Sequence, residues 1–380
     1  MNLELRLKDP AWASSAIESI REFAGVIQGD MAKAAREGVF PRHAFNELGR
    51  RGLLGMLTPR EYGGAGFGVP EYCLVEEELG RYGLVSGQTQ AQGERWLNDW
   101  GTPEQKAKYL PGLANGSILF SESISEPSAA SSLKNLKTTA RREGGEWIIR
   151  GEKCHINMGV ESDLTLVYAM APEGLTAFLV DTDRPGVRRE HTHPIGLRYS
   201  PTANMYFEDV RVGGDAILGE VGEGLATFVS TFNVSRLGNA STLIGIARRA
   251  LTEASRYAAT RPVGSAVVAD FQGNQWTIAE CYAEIHAAVL ARDHAANLAQ
   301  QGHEHAMQTS VAKHLAIKAA ERVVSDVYAL IGGHGLYEEQ NFGQYMLDVK
   351  LLRVAGGSSE ILKNHIARCI LKDAQLMGLA

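Results

Sequence analysis

The 380-residue chain is poor in cysteine, with 4, and in proline, with 12, and its aromatic residues amount to 7%. Cys73, Cys154, Cys281 and Cys369 stand far apart with no CxxC spacing, which excludes a disulfide scaffold and a cysteine zinc site. So little proline also excludes a collagenous or Pro-rich low-complexity chain. No run of about 18 apolar residues occurs, so no segment reads as a membrane span. Met1 to Pro10 is charged and lacks the apolar centre of a secretory signal. Cationic excess is missing too: 38 Lys and Arg face 44 Asp and Glu, for a net charge of −6. With no basic stripe there is no electrostatic footprint for nucleic acid. The expectation is a soluble cytoplasmic protein with neither a nucleic-acid nor a membrane partner.

What the chain has in excess is glycine, 41 residues of 380, against roughly 7% expected. These glycines suit turns, loops and close backbone approach. With 44% hydrophobic and 22% charged residues the composition is that of a globular protein, and the length suggests two or three domains.

The hydrophobic pattern changes character twice. Apolar residues recur at helical spacing early on, as in Ile17, Ile20, Phe23 and Ile27, then Leu48, Leu53 and Leu54, before a loop at Gly63-Gly64-Ala65-Gly66. From about Ser117 to Gly222 the chain reads as strands, with short β-rich runs at 146–151, 164–168, 176–180 and 203–210. Helical spacing then returns in Leu243, Ile246, Ala247, Ala250, Leu251, Ala254 and Tyr257. Further helices are expected over 279–300, 307–331 and 354–371. The reading is α+β: an N-terminal α domain (1–116), a middle β domain (117–222) and a C-terminal α-helical bundle domain (223–380).

Most catalytic signatures are missing. There is no GxGxxG after a strand, no P-loop and no GxSxG elbow. His191-Thr192-His193 and His303-Glu304-His305 lack a third ligand at useful spacing and read as surface pairs, so no metal is expected. Two polar segments remain. Ser121 to Ser132 carries many hydroxyls and amides, and reads either as a phosphate- or flavin-binding wall or as a plain Ser-rich turn. Ala355 to Ile361 opens the last helix, capped by Ser358 or Ser359, and its free amides make either an anion or carbonyl site or an ordinary helix start.

Taken in order, several segments resemble the acyl-CoA dehydrogenase superfamily from about residue 10 to 375. Gly101 to Pro111 is very similar to its GTxEQKxKYLP stretch, and Ser125-Glu126-Pro127 stands where the family has TEPxAGSD. Gly196-Leu197-Arg198, Phe207 to Val212, Arg261, Phe271-Gln272, Gly332 to Gly335 and Ser358 to Ile361 match further motifs in sequence. The resemblance implies a helical domain, a β-barrel or sandwich domain and a four-helix bundle, assembled as a homotetramer or homodimer. It implies FAD lined by Ser123, Ser125, Ser131, Ile156 and Asn157, with Ser358 and Glu360 from the same chain. Arg261, Gln272, Gly332 and Gly333 would reach FAD from a neighbouring subunit. Phe232, Asn233 and Arg236 would line the channel for an acyl-CoA or acyl-carrier-protein thioester, and an electron-transfer flavoprotein is the implied acceptor.

The departures bear on mechanism. The family's proton-abstracting Glu is Gly356 here, and at the alternative position, before the channel Arg, stands Ser235. Gly356 keeps a backbone N–H that can hold a thioester carbonyl and its enolate. Gly264, Ala329 and His155 replace further family residues, which points to weaker FAD binding. Glu94 and His155 are the candidate relocated bases, Glu94 alternatively a solvated helix charge and His155 a stacking substitute for the Trp the family carries there. Arg95 is a candidate partner for an anionic substituent, alternatively a surface residue. Four functions follow: α,β-desaturation; decarboxylative or desulfinative cleavage without a Glu base; a flavin monooxygenase of the same fold; or a base-less partner subunit of a heteromeric dehydrogenase.

Overall fold

The computed structural model describes residues 5–84, 87–337 and 340–372. Helices α1 (Pro10–Glu37), α2 (Arg42–Arg50), α3 (Val69–Tyr82), α4 (Gln88–Trp100) and α5 (Pro103–Asn115) open it. Local chemistry starts them. Asp9 accepts the Trp12 N–H at 2.9 Å ahead of a proline, and Thr102 with Gln105 forms a reciprocal capping box on α5. The Gly-Thr-Pro-Glu-Gln run is thus a helix start. Gln105 also reaches the carbonyls of Asp215 (2.7 Å) and Ile217 (2.8 Å), tying α5 to the sheet region.

The strands are β1 (Phe120–Ser123), β2 (Thr139–Glu143), β3 (Glu146–Asn157), β4 (Leu164–Ala171), β5 (Gly174–Asp181), β6 (Val187–Thr192) and β7 (Thr202–Val212). They form one mixed sheet in the order β1-β4-β2-β3-β7-β6, with β5 on the other edge of β4. β1 and β2 run parallel to β4, and the remaining pairs are antiparallel. Trp147, Ile149, Ile156, Phe178, Met205 and Phe207 fill the interior.

The long α6 (Gly224–Thr260) leads into a two-residue hairpin, β8 (Pro262–Val263) and β9 (Ala266–Val267). Then come α7 (Gln272–Gln300), α8 (Ala306–Asp326), the single turn α9 (Tyr328–Ile331), α10 (Phe342–Val354) and α11 (Ser359–Lys372). The stripe Leu243, Ile246, Ala247, Ala250, Leu251 and Ala254 is buried, as its spacing requires. Two expectations are corrected. The helix foreseen over 307–331 breaks at Val327, and that over 354–371 begins only at Ser359, because α10 ends at Val354 and a glycine turn intervenes. Arg292 of α7 pairs with Glu77 of α3 at 2.8 Å and donates to Ser241 of α6 at 3.0 Å, so a buried cation joins three helices. Among the described residues no helix is long and apolar enough to cross a membrane.

Candidate active site

Between α10 and α11 the chain turns through Gly356 (φ 65°) and Gly357 (φ 97°), left-handed conformations that favour glycine. The Gly356 N–H donates to no described residue. Beside the half-exposed turn lies a cluster of buried polar side chains. A Cβ placed on Gly356 would lie 2.7 Å from Asn239 Nδ2, 3.2 Å from Ser235 Oγ and 3.4 Å from Lys313 Nζ. Ser235 and Asn239 are one turn apart on α6, and Asn239 Nδ2 donates to the Ser235 carbonyl at 2.9 Å. Lys313 of α8 is fully buried; its Nζ donates to Ala355 O and, at 2.9 Å, to Gly357 O. Burial, with Arg236 adding its charge, pushes the Lys313 ammonium down to about 7.

Arg236 packs its guanidinium over the Phe232 ring at 4.5 Å and approaches Gly357, whose Cβ position is 3.6 Å from Nη2. It is buried, its Nε has no partner, and burial lowers it to about 10. Of the residues expected in the substrate channel, Phe232 and Arg236 therefore meet the Gly356 turn, and Asn233 is half-buried beside them on α6. Lys313 and Asn239 escaped the sequence reading. A lysine on a helix reads as solvated until its surroundings are known.

The expected flavin wall divides. Ser123 does not face a site: its Oγ is buried inside the sheet, 2.7 Å from Thr165 Oγ1. Strand alternation turns Ser121 and Ser123 inward and sends Glu122 to the opposite face. Glu122 Oε1 is buried without a partner, as is Tyr168 Oη on the neighbouring β4, and burial pushes Glu122 up to about 8. Ser125 accepts the Cys154 N–H at its carbonyl (2.8 Å), and Ser131 is exposed. The loop between them is held by Glu126, which accepts from the Lys137 and Thr138 amides (2.6 and 3.1 Å) and from buried Lys153 Nζ at 2.8 Å. Burial alone would raise Glu126, but Lys153 and these donors hold it below the usual carboxylate range.

On β3 the ladder with β7 slips between Lys153 and Ile156, where His155 takes a left-handed φ of 56° and its ring is exposed. Ile156 is buried in the sheet core, so only its backbone can serve a ligand. Asn157 links β3 to α4 through Thr89 Oγ1 (3.0 Å) and accepts from Ser200 Oγ (2.8 Å).

Neither candidate base touches the glycine turn. Glu94 on α4 is fully buried rather than solvated, because its side chain points inward toward the Leu57–Thr58 segment. Burial pushes it up to about 8, partly offset by the Thr58 hydroxyl and the Leu57 and Thr58 amides, without a closed hydrogen bond. Arg95, one residue on, faces solvent and pairs with Asp99 at 2.7 Å. It is not brought to the site, since consecutive helical residues point about 100° apart.

Ser358 precedes α11 and its carbonyl accepts the Leu362 N–H at 3.1 Å, while Glu360 is exposed and pairs with Arg353 at 3.0 Å. Arg261, Gln272, Gly332 and Gly333 are exposed. Tyr257 gathers part of this surface: its carbonyl accepts the Arg261 N–H at 2.9 Å and its ring stacks on His334 at 4.8 Å. No described contact joins these residues to the Gly356 turn of their own chain.

Comparison with known proteins gives three family matches: the acyl-CoA dehydrogenase N-terminal domain over residues 14–117, its middle domain over 121–210 and its C-terminal domain over 222–371. The acyl-CoA dehydrogenase FadE12 of Mycobacterium tuberculosis is 33% identical over 351 residues, covering 89% of this chain and 90% of the relative. The solved structure of butyryl-CoA dehydrogenase from Megasphaera elsdenii superposes with a TM-score of 0.92 at 25% identity, covering 97% of this chain and 100% of that one. A glutaryl-CoA dehydrogenase from Mycobacterium smegmatis, solved in complex with FADH2, gives 0.90 at 25% identity, covering 96% of each chain.

Proposed function

Because the chain belongs to the acyl-CoA dehydrogenase family of FAD-dependent oxidoreductases, we propose that it introduces an α,β double bond into an acyl-CoA thioester held at the Gly356–Gly357 turn. The observation that carries this reading is the unengaged Gly356 amide at that turn, set beside Phe232 and Arg236 of α6. A backbone N–H beside this buried cluster polarises a thioester carbonyl and stabilises the enolate left when the α-carbon loses its proton. Lys313 fixes the turn through two of its carbonyls, so its donor keeps its direction.

Bound FAD supplies the hydride acceptor. The chain's donor set suits it: exposed Ser131, the Asn157 amide and the His155 ring serve a flat hydrogen-bonding cofactor, and the Glu122 and Tyr168 oxygens lack a protein partner. Ser125, Ser131, Ile156 and Asn157 are assigned to this wall, with Ser358 and Glu360 approaching from α11. Arg261, Gln272, Gly332 and Gly333 are assigned to a neighbouring subunit's cofactor, in line with their exposure. The apolar residues beside them, Phe271 and Trp276, support a homotetramer or homodimer. A cytoplasmic location and an electron-transfer flavoprotein as acceptor complete the reading.

The test is a spectrum and a mass. Purified protein should carry flavin absorbance that bleaches with at least one acyl-CoA, and the product should be an α,β-unsaturated thioester. Protein that takes up no flavin and binds no CoA ester would sink the proposal.

A further inference from the structure

Arg236 and Lys313 lie against the Gly356–Gly357 turn, and no described carboxylate pairs with either. Arg236 is buried, makes no ion pair or hydrogen bond with any described residue, and has its Nε orphaned. Lys313 is fully buried and bonded only to two carbonyl oxygens. His365, whose Nδ1 is 2.9 Å from Ser310 Oγ, lies farther out and is held below its usual range by burial and by the Arg236 and Arg368 charges, with Glu304 opposing them. Elsewhere this chain pairs its buried cations: Lys153 has Glu126, and Arg292 has Glu77 and Asp293. A largely buried guanidinium without a counter-charge is costly unless a ligand brings the missing charge.

We propose that this pocket is an anion site, and that the preferred acyl thioester carries a carboxylate on its α-carbon, bound by Arg236 with Lys313 behind it. The inference rests on the function proposed above and names its substrate class. The donor for the thioester carbonyl and the cation for the carboxylate sit on and against adjacent residues, Gly356 and Gly357. Two acceptors that close together belong to a 1,3-dicarbonyl, as in a malonyl-type thioester, rather than to opposite ends of a chain. A guanidinium matches a carboxylate bidentately, and the free Nε offers one edge of that fork.

The chemistry then needs no base from the protein. The bond between the α-carbon and the carboxylate carbon breaks, CO2 leaves, and the electron pair stays on the α-carbon as the enolate held by the Gly356 N–H. Bound FAD would supply the acceptor for the β-hydride, as in the desaturation above. The products are CO2 and the α,β-unsaturated thioester, and the substrate's negative charge departs with the hydride. Arg236 also keeps the carboxylate in place until the pocket has excluded water.

Butyryl-CoA and 2-carboxybutyryl-CoA differ only in that carboxylate, and glutaryl-CoA carries one at the chain's far end. With the FAD-loaded wild type, 2-carboxybutyryl-CoA should release CO2, bleach the flavin and exceed the other two in kcat/KM by about 100-fold. It should also raise the Tm more than butyryl-CoA does, a readout that needs no turnover. Arg236→Gln should shrink the ratio between 2-carboxybutyryl-CoA and butyryl-CoA to under 10, with Arg236→Lys in between. Wild type that prefers butyryl-CoA or glutaryl-CoA overturns the anion site and leaves the dehydrogenase reading standing. Equal losses on both butyryl thioesters in Arg236→Gln also overturn it, because Arg236 would then serve a part common to all CoA esters. If no thioester bleaches the flavin, the proposed function fails, and the Tm comparison on wild type still decides the anion site: an equal shift rejects it.

Discussion

Asn239 occupies the space that a side chain at residue 356 would need, its Nδ2 lying 2.7 Å from the Cβ position of Gly356. Gly356 also has a φ of 65°, where a residue with a Cβ is strained by roughly 1–2 kcal/mol. The glycine and the asparagine therefore fit each other, and a carboxylate cannot simply be restored. Gly356→Glu alone should lower the Tm by several degrees and add no activity on butyryl-CoA. Gly356→Glu with Asn239→Ala should regain part of that stability and raise butyryl-CoA dehydrogenation at least about 10-fold, since the Glu now has room to act as a base. A full gain in the single variant at unchanged Tm would show that Asn239 does not guard the position.

Glu94 and Glu122 make the stability pH-dependent in one direction. Both carboxyls are pushed by burial from an ordinary value of 4.5 up to about 8. Between those limits the unfolded chain has lost these protons and the folded chain retains them, so the folded state binds more protons. Stability is therefore highest below pH 4.5 as far as these two are concerned, falls as pH rises toward about 8, and is level above it. The slope is at most about 1.4 kcal/mol per pH unit for each group. Glu94→Gln should flatten the Tm-versus-pH profile across that window and stabilise the protein at pH 8. An unchanged profile would mean that Glu94 ionises freely in the fold.

Lys153 and Glu126 form a buried pair at 2.8 Å, and Glu126 also collects the Lys137 and Thr138 amides that close the Ser-rich loop. Lys153→Met should leave a buried carboxylate without its cation, at a cost of about 3–5 kcal/mol. Because the loop carries Ser131, FAD should dissociate more readily as well. Adding Glu126→Gln should recover part of the stability by removing the stranded charge, which a double-mutant cycle on Tm and flavin retention would measure. Strict additivity of the two substitutions would mean that the pair does not interact.

What was legible in the sequence follows from periodicity and local signals. The apolar stripe from Leu243 to Ala254 fixed one face of α6, and the β-rich runs at 164–168 and 176–180 lie within β4 and β5. The Thr102 capping box and the glycines of the last turn were visible as letters. Burial of charge was not. Arg95 and Glu94 are neighbours in sequence, yet one faces water and the other the interior, and only the packing of α4 decides which. The cation-rich pocket escaped for the same reason: Lys313 and Arg236 lie on different helices, and no spacing rule joins them. Ser123 misled because hydroxyl-rich composition carries no strand phase, whereas the β1 register does.

The exposed face of α7 should be where chains meet. Trp276 is 60% exposed and Phe271 48%, with Tyr282 exposed farther along the helix and Gln272 beside Phe271. A tryptophan left in water forgoes about 2–3 kcal/mol that burial against a partner would supply. Trp276→Arg puts a charge on that face and removes the largest apolar anchor, while touching no core cluster of its own subunit. Light scattering should show the wild type as a multiple of 41.2 kDa and the variant shifted toward a single chain. If Arg261 and Gln272 complete a neighbour's cofactor site, flavin occupancy should fall in step with the loss of assembly, while far-UV circular dichroism stays unchanged. A variant that keeps both its mass and its flavin would place the contact on another surface.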